Sequence, residues 1–118
     1  MTTDKRAVIA FIAASIVNGT QSNNSIYDYS QNKYLFYNVM EMNRKRISVY
    51  DYGRNSYLQG SMSSIFDYGS NTYITLNIND NNINGFDYES GCYYGGHVSG
   101  RTVYLYDYET MKYYTFLL

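Results

Sequence analysis

The sequence predicts a mainly β fold, a ten-stranded antiparallel meander of five hairpins curled around or against one N-terminal α-helix. The first observation is a short phrase (an aromatic residue, Asp and Tyr) that occurs five times, which indicates a repeated supersecondary unit. The second is a composition of 17 tyrosines and no proline in 118 residues, because tyrosine favours strands and proline interrupts them. The third is a single apolar run, Ala7 to Val17, ahead of the repeats.

Each repeat consists of the phrase, four loop residues and a further Tyr. The five copies are Tyr27-Asp28-Tyr29 to Tyr34, Tyr50-Asp51-Tyr52 to Tyr57, Phe66-Asp67-Tyr68 to Tyr73, Phe86-Asp87-Tyr88 to Tyr93 and Tyr106-Asp107-Tyr108 to Tyr113. Apolar and polar residues alternate on both sides of the loop, as in Val103 to Tyr108. This period of two predicts antiparallel strands with one dry face and one wet face. Each copy is therefore predicted to be one β-hairpin.

The third loop position indicates tight turns. In four copies it carries a residue that tolerates positive φ, namely Asn32, Asn55, Asn71 and Gly91. Met111 is the exception, because methionine is not a residue that favours positive φ. If the two middle loop residues form the turn, the flanking tyrosines face each other across each hairpin. The predicted pairs are Tyr29–Tyr34, Tyr52–Tyr57, Tyr68–Tyr73, Tyr88–Tyr93 and Tyr108–Tyr113.

The apolar run predicts a helix from about Asp4 to Val17, because Thr or Asp can cap its start and Gly19 fits the left-handed position after its end. It is shorter than the roughly 20 residues that a bilayer span needs. The alternative is a signal peptide with Lys5-Arg6 as its basic segment, although small residues suited to cleavage do not follow the run. We therefore expect one domain, 1–118, with a buried helix (1–19), a linker (20–25) and five hairpins (26–118).

Two architectures fit these elements. Short links between hairpins make sequential strands neighbours, so the sheet can close into a barrel with the helix inside. The alternative is an α+β fold, in which an open curved sheet carries the helix on its apolar face. Because Ala7 to Ala14 has no polar stripe, enclosure is favoured. A helix inside a closed barrel would leave no interior room for a ligand, and function would move to the outer face.

Charge and composition exclude several classes of protein. A net charge of -1 with scattered basic residues gives no patch for nucleic acid, and near-neutrality favours self-association. Cys92 is the single cysteine, which excludes a disulfide framework and a cysteine-based zinc site. Dinucleotide, Walker and zinc-hydrolase motifs are absent from the sequence, so no cofactor and no metal are predicted. A cytoplasmic location is favoured over a secreted or cell-surface one.

The repeated Asp residues support two interpretations. By the parity of the strands, each points to the apolar side at the hairpin end, where it can accept hydrogen bonds from turn backbone. Asp28, Asp51, Asp67, Asp87 and Asp107 are therefore predicted to be structural. The alternative gathers them at one end of a barrel as an acidic rim that binds a small molecule or a divalent cation.

The tyrosine face is the better candidate for function. Flat rings beside Asn, Gln and Thr can stack on a ligand and hydrogen-bond to its edges, and tyrosine is enriched at interfaces. The candidate ligand-binding residues are Tyr34, Tyr57, Tyr73, Tyr93, Tyr113 and His97. We therefore expect a non-catalytic binding or assembly module for a glycan, a protein or a second copy of the chain. An enzyme centred on His97 and one Asp is the third hypothesis, and it lacks a nucleophile placed to use the histidine. The adjacent Gly95-Gly96 indicates a bulge or a close packing contact.

The last two hairpins, with Tyr93-Tyr94 and Tyr113-Tyr114 after their turns, resemble in architecture the choline-binding repeats of bacterial surface proteins. Those repeats are also short aromatic hairpins of about this length. They rely on Gly-Trp and Trp-Tyr pairs, whereas this chain has no tryptophan. The resemblance therefore implies a repeated hairpin architecture and assigns no site residues.

Overall fold

The computed structural model of the chain describes residues 1–19 and 23–118. One helix, α1, spans Thr3–Asn18. The strands are β1 (Ser25–Asp28), β2 (Lys33–Met42), β3 (Ile47–Asp51), β4 (Ser56–Ser61), β5 (Ser64–Asp67), β6 (Thr72–Ile74), β7 (Asn77–Asn79), β8 (Asn82–Asp87), β9 (Cys92–Ser99), β10 (Thr102–Asp107) and β11 (Lys112–Leu117). The prediction of a mainly β fold with one N-terminal helix is confirmed.

The strands form a closed antiparallel barrel in which neighbours in the sequence are also neighbours in space. β1 pairs with both β2 and β11, which joins the first hairpin to the last. β6 and β7 are two halves of one return strand, because both pair with β8. Eleven segments therefore build a ten-stranded barrel, and closure leaves no unpaired edge of the kind that an open sheet exposes.

The return strand of the third hairpin is interrupted at Thr75. The N–H of Thr75 donates to the carbonyl of Phe86, and its hydroxyl accepts from the N–H of the same Phe86. The hydroxyl of the buried Tyr94 donates to the carbonyl of Thr75 at 2.6 Å. Burial raises the pKa of Tyr94, so the phenol stays protonated as this bond requires. An inward-facing side chain thus satisfies a carbonyl that the sheet ladder leaves free.

The helix lies inside the barrel. Every residue from Ala7 to Ala14 is fully buried, and the Phe11 ring packs on Tyr37 of β2 with centroids 4.6 Å apart. Thr2 caps the start through its side chain, which accepts from the N–H of Lys5, and Gly19 ends the helix in the left-handed conformation. An all-round apolar helix needs cover on all sides, and the barrel provides it. The open-sheet alternative is therefore excluded.

The predicted pairing of the hairpin tyrosines is wrong by two residues. Tyr34 lies opposite Tyr27 instead of Tyr29, and the same shift occurs in the other four hairpins. The four residues between Asp28 and Lys33 form the turn, because the Asp side chain closes it over the backbone N–H of Ser30. A shift of two residues leaves every side chain on the same face of the sheet. The Asp residues therefore point inward and the hairpin tyrosines outward, as predicted.

The turn residues behave as predicted at their third loop position. Asn32, Asn55, Asn71 and Gly91 have φ between 51° and 70°, and Met111 adopts the same conformation with φ 57°.

Of the predicted linker 20–25, residues 20–22 lie outside the described residues, and Ser25 already belongs to β1. In the described part of the chain, no helix is long and apolar enough to cross a membrane.

Candidate functional site

The five repeated Asp residues form a ring inside one end of the barrel, which we call the Asp ring. Each is 0–1% exposed, and each accepts a hydrogen bond at 2.9–3.2 Å from the backbone N–H two residues further on. This is the Asx turn that Asp favours at the start of a loop. The ring members are Asp28, Asp51, Asp67, Asp87 and Asp107.

Cations at the start of the helix neutralise one side of the Asp ring. Lys5 Nζ contacts Asp87 Oδ1 at 2.8 Å and Glu89 Oε1 at 2.9 Å. Arg6 Nη1 and the Met1 amine both lie 3.0 Å from Asp107 Oδ2. The helix dipole adds to these contacts, because the N-terminal end of a helix attracts negative charge. The ring and the helix therefore fix each other's position.

Arg54 joins two further members of the ring. Its Nε lies 2.9 Å from Asp51 Oδ2, and its Nη1 lies 2.9 Å from Asp67 Oδ2. Burial alone would lower the pKa of Arg54, yet the hydrogen bonds that Arg54 donates to both carboxylates raise it. Among the described residues, Asp28 has no cation within ion-pair distance and is held by hydrogen bonds from Ser30 and Gln31. Four of the five ring carboxylates are therefore paired with cations of the protein itself.

The pKa of Asp87 shows the balance between burial and pairing. Burial alone would raise it, but hydrogen bonds from Lys5 and Ser90 and the charge of Lys5 bring it below its ordinary value. The carboxylate is therefore ionised at neutral pH and engaged by Lys5. In the described residues, no cluster of three or more His, Cys, Asp or Glu side chains could hold a metal ion.

The outer wall at the same end of the barrel carries ten exposed tyrosines, which we call the tyrosine belt. Each is 46–66% exposed. Five follow the Asp of each repeat, and five open the return strand of each hairpin. The belt consists of Tyr29, Tyr34, Tyr52, Tyr57, Tyr68, Tyr73, Tyr88, Tyr93, Tyr108 and Tyr113.

The belt is built from five copies of one three-ring cluster. In the first copy Tyr27 is half-buried and contacts Tyr29 and Tyr34 edge to face, with centroids 5.0 and 4.9 Å apart. Across all five copies these distances are 4.7–5.3 Å and the ring planes cross at 65–78°. Edge-to-face contact suits the ring quadrupole. Each central ring therefore fixes two outer rings, which stay exposed to solvent.

Tyrosines of neighbouring hairpins flank the seams between the clusters, and three seams hold recesses. The recess between Tyr93 and Tyr108 has a volume of about 560 Å³. The one between Tyr34 and Tyr52 has about 390 Å³. The smallest, with about 220 Å³, lies beside Tyr73 and Tyr88. The same phrase thus produces openings of different size, and the residues between the tyrosines set the difference.

The structure brings the predicted tyrosines Tyr34, Tyr57, Tyr73, Tyr93 and Tyr113 into this one belt. It does not bring His97 to an Asp, because His97 is exposed on the outer face while the Asp ring is buried inside. The His97 ring stacks on Tyr104 with centroids 4.9 Å apart. Cys92 is a half-buried free thiol.

Sequence reasoning missed half of the belt. The sequence predicts the tyrosine after each Asp only as a cross-strand partner and not as a ligand-binding residue. In the structure these tyrosines are as exposed as those of the return strands. Their fixed position directly after the Asp was the available signal, since an Asp that points inward places the next side chain outward.

The fold and the site define a class: a helix-filled ten-stranded barrel with a buried ring of Asp residues inside and an exposed aromatic belt outside. Searches among family models, curated proteins and solved structures return no match for this chain.

Proposed function

We propose that this protein is a non-catalytic binding module that uses the tyrosine belt to hold a glycan, a protein or a second copy of the chain. The observation that carries the proposal is the exposure of ten tyrosines around one end of a barrel whose interior is already filled. Soluble domains rarely keep a contiguous aromatic surface without a use for it. Tyrosine suits recognition because it offers a rigid ring and a hydroxyl.

The other two hypotheses have less support. A cation held by several carboxylates of the Asp ring would have to displace Lys5, Arg6 or Arg54 from carboxylates that they already contact. Such a displacement leaves a buried cation without a partner, which is costly. An enzyme centred on His97 and one of the repeated Asp residues has less support, because His97 is exposed on the outer face while those Asp residues are buried inside the barrel.

The test is to remove belt rings from a folded barrel. The circular dichroism spectra of Tyr57→Ala and Tyr73→Ala should match that of the unchanged protein. If the ligand is a glycan or a protein, both variants should lose binding to a glycan array or to the purified partner. If the ligand is a second copy of the chain, the mass measured by light scattering over a concentration series should fall. Asn38→Ala is the control, because Asn38 is exposed on the outer face of β2 outside the belt. A monomeric mass at every concentration, together with no glycan or purified protein bound, would count against the proposal.

A further inference from the structure

We propose that the recess between Tyr93 and Tyr108 binds a neutral sugar ring, such as one hexopyranose unit of a glycan chain. This inference rests on the proposed function, because it assigns a ligand class to one seam of the tyrosine belt. Its basis is the shape of the recess, its lack of charge and one glycine that the fold does not require.

The walls of the recess are two aromatic rings with open surface. Tyr93 is 66% exposed and Tyr108 is 58% exposed. Among the aromatic rings of residues 1–19 and 23–118, each contacts the central ring of its own cluster, Phe86 or Tyr106, and does so edge to face. The volume of about 560 Å³ falls in the range of roughly 300–1,000 Å³ typical of small-ligand sites. A sugar ring has an apolar C–H face that packs on such a surface.

The floor of the recess is uncharged and mostly apolar, and Asn84 supplies the one amide side chain of its described lining. Between the two tyrosines it is lined by Asn84, Gly91, Cys92 and Gly95, and the described lining includes no ionised side chain. The exposed amide of Asn84 offers both a donor and an acceptor, which matches neighbouring hydroxyls of a sugar. A phosphate or a carboxylate would find no Lys or Arg in this lining. The chemistry therefore selects a neutral ligand with many hydroxyl groups.

Gly95 makes this seam different from the other four. It lies two residues after Tyr93 on the outer face of β9, opposite Asn84 and Tyr106. The equivalent positions of the other hairpins carry side chains, namely Phe36, Gln59, Thr75 and Thr115. The missing side chain explains why this recess is larger than the two beside Phe36 and Thr75.

Neither the backbone nor the packing requires glycine at this position. The φ of Gly95 lies outside the left-handed region, and a Cβ built there would meet nothing closer than the Ile83 carbonyl oxygen at 3.5 Å. The adjacent Gly96 differs, because its φ is 150° and its Cβ would lie 1.8 Å from the Tyr104 carbonyl oxygen. Gly96 is thus a close packing contact of the barrel. Gly95 instead opens a recess on the surface.

The length of the recess favours a sugar over a proline-rich peptide, which also seeks neutral aromatic grooves. The recess runs from β8 across β9 to the turn after β10, two strand spacings or about 10 Å. A polyproline helix advances about 3.1 Å per residue, so such a recess holds three residues, fewer than a PxxP motif. One or two sugar rings occupy the same length fully.

The experiment titrates the full chain, labelled for NMR, with neutral oligosaccharides of glucose, mannose, galactose and N-acetylglucosamine. We expect one of them to shift the resonances of Gly95, the Asn84 side-chain amide and the rings of Tyr93 and Tyr108. Gly95→Thr should weaken its binding roughly tenfold or more, because the added side chain occupies the recess. Gln59→Thr is the matched control, since it places the same residue at the equivalent position of the second hairpin, and it should leave affinity within about twofold.

Three outcomes would overturn the inference, and they separate it from the proposed function. If an oligosaccharide binds equally well to Gly95→Thr, the recess is not its site. If a neutral proline-rich peptide binds and is lost in Gly95→Thr while no sugar binds, the ligand class is wrong and the binding function stands. If no probe binds, the sugar assignment fails, and the belt variants Tyr57→Ala and Tyr73→Ala decide the proposed function independently.

Discussion

The two faces of the barrel use the same repeated phrase in opposite ways. Inside, each Asp of the ring is buried, tied to its own turn and in four cases paired with a cation. Outside, the tyrosine that follows each Asp and the tyrosine of each return strand form the tyrosine belt, whose ten rings are exposed to solvent. One phrase therefore holds the helix in place on one face and presents exposed aromatic rings on the other. We therefore expect substitutions in the Asp ring to lower stability and, under the proposed function, substitutions in the tyrosine belt to weaken binding.

The largest expected effect comes from the inner face. Lys5→Met keeps the length of a fully buried side chain and removes its charge, so Asp87 and the nearby Asp67 lose a buried partner. Breaking a buried ion pair in this way costs about 3–5 kcal/mol. The free energy of unfolding, measured in urea, should fall by that amount.

The control for that change is the exposed pair of Arg46 and Glu41 on the outer face. Arg46→Ala should change the free energy of unfolding by less than ~1 kcal/mol, because solvent screens such pairs. Equal losses in the two variants would show that the ion pairs of the Asp ring do not stabilise the barrel more than surface pairs do.

Acid should weaken the inner face next. The pKa of Asp87 in the folded chain lies below its ordinary value of 3.8, so its pairing contributes stability above about pH 4 and loses that contribution as the pH falls through the folded pKa. The free energy of unfolding should therefore decline as the pH falls below about 4. Asp87→Asn should be less stable at pH 7 and show a shallower decline. An identical slope in both proteins would mean that Asp87 does not take part.

The smallest effects compare two adjacent glycines on opposite faces. Gly96→Ala introduces a side chain against the Tyr104 carbonyl at a positive φ and should lower stability by about 1–3 kcal/mol. A Cβ at Gly95 meets only ordinary contacts, and Gly95→Thr should raise stability by about 0.5–1 kcal/mol, because Thr suits a strand better than Gly. Thermal unfolding of the two variants shows whether each substitution raises or lowers the stability of the barrel. A destabilised Gly95→Thr would indicate that the fold needs this glycine after all.

Much of the fold follows from local chemistry that is visible in the sequence. The αL positions at Asn32, Asn55 and Asn71, the caps at Thr2 and Gly19, and the inward direction of the Asp residues depend on nearest neighbours and on strand parity. The register of the hairpins was missed, because it depends on whether the Asp side chain or the middle loop residues close the turn. That choice is a competition between hydrogen bonds, and residue types alone do not decide it.

Features that depend on closure of the barrel could not be predicted. Lys5 and Arg6 resemble an exposed basic segment in the sequence, yet both are buried because the Asp ring surrounds them. Gly95 and Gly96 are identical residues in the sequence, and only their neighbours across the sheet distinguish an open recess from a tight contact. The candidate site thus required the tertiary structure even where each of its tyrosines was visible beforehand.

The position of the helix also constrains how the chain is made. The helix precedes every strand in the chain, but its cations find their partners on hairpins that follow much later, at Asp67, Asp87 and Asp107. During translation the apolar residues Ala7 to Ala14 therefore remain exposed to solvent until the last hairpins leave the ribosome. Folding that depends on such distant contacts is slow, and an apolar segment exposed meanwhile promotes aggregation. Nascent chains of this protein should thus depend on a holding chaperone until the fifth hairpin emerges.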